Sequence, residues 1–148
     1  MTRLGISLLF VIVALVLQRP IGWDEGLALG ATDATNYEAI ALAAPGFPAE
    51  KLRFHRAQRW VAPYVLGVIA RTLGIEVRTA FYLATGVSLA AAMIFMHLCL
   101  ARMGLSPGVF ATAMALLVFH FSLRFYLVAP GMLPDALFIA SLTGVLYG

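Results

Sequence analysis

From Thr79 to Ala101 the chain carries no aspartate, glutamate, lysine or arginine, and Arg78 and Arg102 bracket the run. A helix needs about 20 mostly apolar residues to cross the hydrocarbon of a bilayer, and this stretch meets that length. Other apolar runs accompany it, among them residues 4–17 (LGISLLFVIVALVL) behind Arg3. Of the 148 residues, 62% are hydrophobic and 11% charged, against about a quarter charged in an average soluble domain. A soluble domain of this size leaves much of its surface in water, so the apolar surplus calls for a second, apolar solvent. Inside a bilayer every backbone amide must be paired, which leaves helices or closed barrels. The runs lack the strict alternation of barrel strands. The expected fold is therefore all-α, a multi-pass transmembrane helical bundle whose partner is the lipid bilayer.

The pattern predicts one membrane domain with spans at roughly 4–19, 61–75, 79–101, 107–122 and 135–148. Arg71 interrupts the second of these and Gly74 ends it; Pro107 opens the fourth. Residues 122–134 (SLRFYLVAPGMLP) read as a break, and the last apolar segment stops at Gly148 without a polar tail. That ending predicts a fragment of a longer protein. A cleaved signal peptide is the rival reading of the first run, but no small-x-small site follows it directly. An uncleaved span with a cytoplasmic N-terminus is expected, resting on Arg3 against a competing Arg19.

The net charge of +3 is scattered, which argues against nucleic acid as a partner, since that would want a concentrated basic face. The single cysteine, Cys99, lies in an apolar run and reads as a structural thiol.

Residues 20–60 form a long polar loop holding Asp24, Glu25, Asp33, Glu38 and Glu50 together with Lys51, Arg53, Arg56 and Arg59. Thr32 or Asp33 could open a short amphipathic helix through Tyr37 and Ile40, ending near Pro45-Gly46 and lying at the membrane surface. Asp33 and Tyr37, four apart, would share a face of that helix. A carboxylate there can bind a divalent cation or act as a general base on a hydroxyl, or simply cap the helix. The segment Arg53-Phe-His55-Arg56-Ala-Gln-Arg59-Trp60 gathers three arginines and a histidine before a span. Arginine forks suit phosphate oxygens, and interfacial snorkelling is the alternative. Asp135 heads the last apolar segment, where it is either a functional acid at membrane depth or a residue that favours a helix N-terminus. His97 and His120 stand alone on apolar segments and read as satisfied bundle histidines. No metal-ligand spacing, phosphate loop or nucleophile elbow is present.

In this order the pieces resemble the N-terminal part of the GT-C superfamily of polytopic glycosyltransferases, which use polyprenyl-phosphate-linked sugars. Asp33–Tyr37 with the following EAIALAA is similar to the acidic element of that family's first large extracytoplasmic loop. Arg56-Ala-Gln-Arg59-Trp-Val-Ala-Pro63 is similar to the basic stretch and proline opening the second span in many bacterial members. Pro134-Asp135-Ala-Leu-Phe is similar to a later acidic helix start. The resemblance implies a sugar transferase of the bacterial inner membrane whose partner is a polyprenyl-phosphate-linked sugar. Asp33 and Asp135 would then be catalytic, and Tyr37, His55, Arg56 and Arg59 would bind substrate. Any metal is left open, a divalent cation at Asp33 being the candidate cofactor. The alternative is a non-catalytic membrane subunit or transporter piece. Three crossings between Asp33 and Asp135 would put them on opposite sides, unless Val61–Leu73 or Pro107–Phe121 does not fully cross.

Overall fold

The structure, a computed structural model, describes residues 2–17, 22–28, 33–48, 59–119 and 133–147. Among them are seven α-helices and no strand: α1 (Arg3–Leu17), α2 (Trp23–Ala28), α3 (Asp33–Ala43), α4 (Val61–Leu73), α5 (Val77–Arg102), α6 (Pro107–Val118) and α7 (Leu133–Tyr147). The all-α expectation holds. Among the described residues one helix, α5, is long and apolar enough to cross a membrane by itself.

Local chemistry sets the helix ends. Gly74 takes the left-handed conformation (φ 66°) after α4; its N–H donates to the Arg71 carbonyl and that of Ile75 to the Ala70 carbonyl. These two bonds close the last turn, and glycine adopts that backbone without a Cβ penalty. At the start of α6, Ser106 accepts from the Val109 N–H at 3.4 Å and Pro107 occupies the first turn, where its missing N–H costs nothing.

α5 is the shaft of the molecule. α1 runs antiparallel to it: Arg3 donates to the Ala101 and Leu105 carbonyls (3.2 and 2.7 Å), and Ser7 meets His97 further along. α6 turns back beside both, packing Phe110 edge-on against His97 and Phe119 edge-on against Phe10. Ile6, Phe110, Met114 and Val118 form the core of this three-helix part. α7 lies on another side of α5 and runs parallel to it. Leu89 packs with Ala136, Phe95 faces Gly144 and Tyr147, and Arg102 donates to the Tyr147 carbonyl at 2.5 Å while stacking over its ring.

Because Leu89 is level with Ala136, three residues into α7, the first nine or so residues of α5 project roughly 14 Å beyond the start of α7 at 1.5 Å per residue. α4 folds back along that projection as a helical hairpin, joining Leu66 and Ala70 to Ala80 and Phe81. It begins beside the head of α7 and ends at the head of α5, never reaching the Arg102 end. α3 then lies on the hairpin. The face of α3 expected on a membrane surface is turned into the protein instead: Ala34, Tyr37, Ile40 and Ala41 are buried. The reason is a close approach that Gly67 permits, since a Cβ there would stand 2.7 Å from the Ala41 Cα and carbonyl carbon. Tyr64 donates to the Pro45 carbonyl (2.8 Å) and Arg71 to that of Leu42 (3.4 Å). A two-point pair from Arg78 to Glu38 (2.6 and 3.4 Å) fixes the other side, with Asp24 3.7 Å away and Trp23 beneath the guanidinium. Trp23 in turn meets Phe81 edge-on, which ties in α2. This cap of α2, α3 and α4 is a second core, built largely from the stretch the sequence marks as loop.

Candidate functional site

Three separate stretches singled out in the sequence meet where the cap joins the bundle. Tyr37 comes from the middle of α3 and is fully buried. Arg59 stands just before α4, and its Nη1 donates to Asp135 Oδ1 at 2.8 Å across 76 residues of sequence. Asp135 lies in the first turn of α7, where a carboxylate also suits the helix dipole. The Arg59 guanidinium lies against the Tyr37 hydroxyl as well, without completing a hydrogen bond of good geometry. Asp33, one turn before Tyr37 on α3, is within electrostatic reach of both Tyr37 and Arg59. α4 spans only the projecting part of α5, so Asp33 and Asp135 belong to one end of the bundle. The site is roughly 20 Å along α5 from Arg102, counting from Leu89.

Exposure within the cluster is graded. The Arg59 side chain is 51% exposed and that of Asp135 19%, while Tyr37 is sealed. Of the three buried polar side-chain atoms without a hydrogen-bond partner among the described residues, two are here, the Tyr37 hydroxyl and Asp135 Oδ2; the third is Trp23 Nε1. The first two adjoin the same guanidinium. Buried polar groups are normally paired, so these two atoms are the unfilled hydrogen-bonding capacity of the cluster.

Burial pushes the Tyr37 phenol above its usual range; Arg59 opposes the shift and the Asp33 charge adds to it. The charge of Asp135, and then the phenol, hold the Arg59 guanidinium above even its own high value. Arg59 is therefore a permanent cation here. In the unfolded chain Tyr37 ionises near the ordinary tyrosine value of about 10, whereas the fold retains its proton longer. This contribution to stability is complete below about pH 10 and falls as pH rises, because the unfolded form then sheds a proton the folded form keeps. Tyr37→Phe is expected to reduce the alkaline loss of stability, and the difference in phenolate absorbance at 295 nm between parent and variant should show Tyr37 titrating above the ordinary tyrosine range.

His55 and Arg56, also expected to bind substrate, lie outside the described residues, as do Arg53 and His120. His97 is a satisfied histidine: its Nδ1 shares a 2.7 Å hydrogen bond with Ser7 Oγ. The pair borders an apolar cavity of about 650 Å³ between α1, α5 and α6. Cys99 is half-buried rather than enclosed. Among the described residues no three histidine, cysteine, aspartate or glutamate side chains come together as a metal site. Sequence reasoning missed Ser7, Gly67 and the Glu38–Arg78 pair. Each depends on a partner distant in sequence and carries no local mark.

Comparison with protein-family models, with curated proteins and with solved structures finds no match to this chain.

Proposed function

We propose that this chain is a multi-pass membrane protein that transfers a sugar from a polyprenyl-phosphate donor to an extracytoplasmic acceptor, in the manner of a GT-C glycosyltransferase. The membrane part is supported by the outer faces of the bundle. Leu4, Leu8, Ile12 and Val16 form an exposed stripe along α1, and Phe138, Leu142 and Val145 one along α7; contiguous apolar surface of that kind belongs against lipid or another apolar partner. With α4 confined to the cap, α1, α5, α6 and α7 are the four crossings among the described residues. Asp33, Arg59 and Asp135 then share one side, that of the polar loop.

The observation that carries the enzymatic reading is the meeting of Asp33, Tyr37, Arg59 and Asp135 at one end of the bundle. Sugar transfer from such a donor needs a base for the incoming hydroxyl and a cation for the departing phosphate. Asp33 takes the hydroxyl proton as the acceptor oxygen bonds to the anomeric carbon. The bond from that carbon to the phosphate oxygen breaks, and the lipid phosphate leaves with the electron pair. Arg59 stabilises the charge that develops on it, and Asp135 holds Arg59 at the site before the donor arrives. Asp33→Asn is expected to lower transfer at least about a hundredfold, the usual worth of a positioned base, without loss of helical content. The assay is movement of radiolabelled sugar from the lipid-phosphate pool in membranes carrying the full chain. Unchanged transfer in Asp33→Asn would sink this reading. It would favour a non-catalytic membrane subunit, a role with which the neutralisation of Arg59 by Asp135 is also compatible.

A further inference from the structure

We infer that Arg59 is a ligand-operated cover: a phosphate-bearing ligand draws its guanidinium away from Asp135, and this opens a hydroxyl-binding pair formed by the Tyr37 phenol and the Asp135 carboxylate. The inference rests on the functional reading above and adds an order of events to it.

Accessibility gives the order. Of the three side chains Arg59 is the one a ligand meets first, being half exposed, while Tyr37 is sealed and Asp135 mostly so. The Arg59–Asp135 bond is a single contact, Nη1 to Oδ1. An arginine fork binds best through two parallel N–H donors, and a phosphate presents the oxygens for both. A phosphate therefore offers Arg59 more than Asp135 does, and exchange of partners follows.

What the exchange uncovers is fixed by the two unpartnered atoms, the Tyr37 hydroxyl and Asp135 Oδ2. The carboxylate accepts, and the phenol can donate or accept. A neutral hydroxyl donates to the first and pairs with the second. Asp33 bears on the same point, so once Arg59 has turned away an anion is repelled and an uncharged polyol is favoured. The anion and the hydroxyl thus have separate seats, and filling the first opens the second.

The test uses the full chain in phosphatidylcholine nanodiscs, labelled with 3-fluorotyrosine, the Tyr37 resonance being assigned by its loss in Tyr37→Phe. In the ligand-free protein that resonance should show no shift between H2O and D2O. Saturating farnesyl monophosphate should bring in a solvent shift close to that of an exposed fluorotyrosine, while farnesol should not. The same response to inorganic phosphate would mean the anion alone operates the cover; a response to farnesyl monophosphate only would mean the phosphate must be lipid-borne. Either supports the inference. Arg59→Ala should show the shift from the outset and ignore both ligands. Asp135→Asn, which removes the competing carboxylate, should tighten farnesyl monophosphate binding about fivefold, the upper worth of an exposed ion pair. A Tyr37 resonance that stays solvent-protected at saturation, or affinity unchanged in Asp135→Asn, overturns it. None of these readouts needs sugar transfer. A phosphate response alongside unchanged transfer in Asp33→Asn removes the transferase reading and keeps the cover; the opposite pair of results removes the cover alone.

Discussion

Gly67→Ala is expected to lift α3 off α4 at a cost of about 3 kcal/mol, the upper end of what an added methyl imposes on a packed contact. The new Cβ would stand 2.7 Å from the Cα and carbonyl carbon of Ala41. Both sides of the clash are main chain, so no rotamer change relieves it. The helices must separate, and Ile40, Ala41, Leu66 and Ala70 lose contacts together. Gly86→Ala is the matched control: nothing lies within 4 Å of a Cβ there, and alanine should gain up to about 1 kcal/mol in a helix interior. Denaturant titration followed by circular dichroism measures both. A Gly67→Ala protein as stable as its parent would mean that close approach is not what seats α3.

Phe81→Ala should cost about 3–5 kcal/mol, the usual range for emptying a buried phenylalanine site. Phe81 is fully buried in the cap core and meets Trp23 edge-on at 5.3 Å. Phe110 is equally buried but belongs to the core shared by α1 and α6. Truncating it should cost a similar amount by a different route. Tryptophan emission separates the two, because Trp23 and Trp60, the two tryptophans of the chain, both belong to the cap. Phe81→Ala should shift emission to the red, whereas Phe110→Ala should weaken the fold with emission unchanged. A red shift of equal size in both would show that the cap and the bundle do not behave as separate cores.

The helices were legible in the sequence where apolar runs meet local punctuation. Leu73-Gly74 and Ser106-Pro107 state their boundaries through backbone chemistry that needs no tertiary partner. The amphipathic helix read at Asp33 through Tyr37 and Ile40 is likewise present as α3. Its destination was not legible, because an apolar face on a short helix fits a membrane surface or a protein groove equally well. Gly67 decides between them, and nothing local distinguishes it from the other glycines. The site has the same character. Asp33, Tyr37, Arg59 and Asp135 each stood out by residue type and position, but the pairing of Arg59 with Asp135 depends on α4 doubling back along α5. That return comes from Leu66 and Ala70 packing on Ala80 and Phe81, a tertiary fact that periodicity alone does not encode.

The bonds made by Arg3 have a consequence for biosynthesis. Its acceptors, the carbonyls of Ala101 and Leu105, come 98 and 102 residues later, and the rings and methyls that cover Ile6 and Phe10 come later still. α1 thus leaves the ribosome well before the residues it packs against. The hairpin of α4 and α5 with α3 on its side closes over a much shorter stretch and can form while α6 is still being translated. Local contacts of that kind assemble early, so the hairpin with α3 can be in place, lacking only Leu133 of α7 from its core, while α1 still waits for its neighbours. Any delay in translating residues 97–119 prolongs the interval in which the apolar face of α1 needs another protein, or lipid, to shield it.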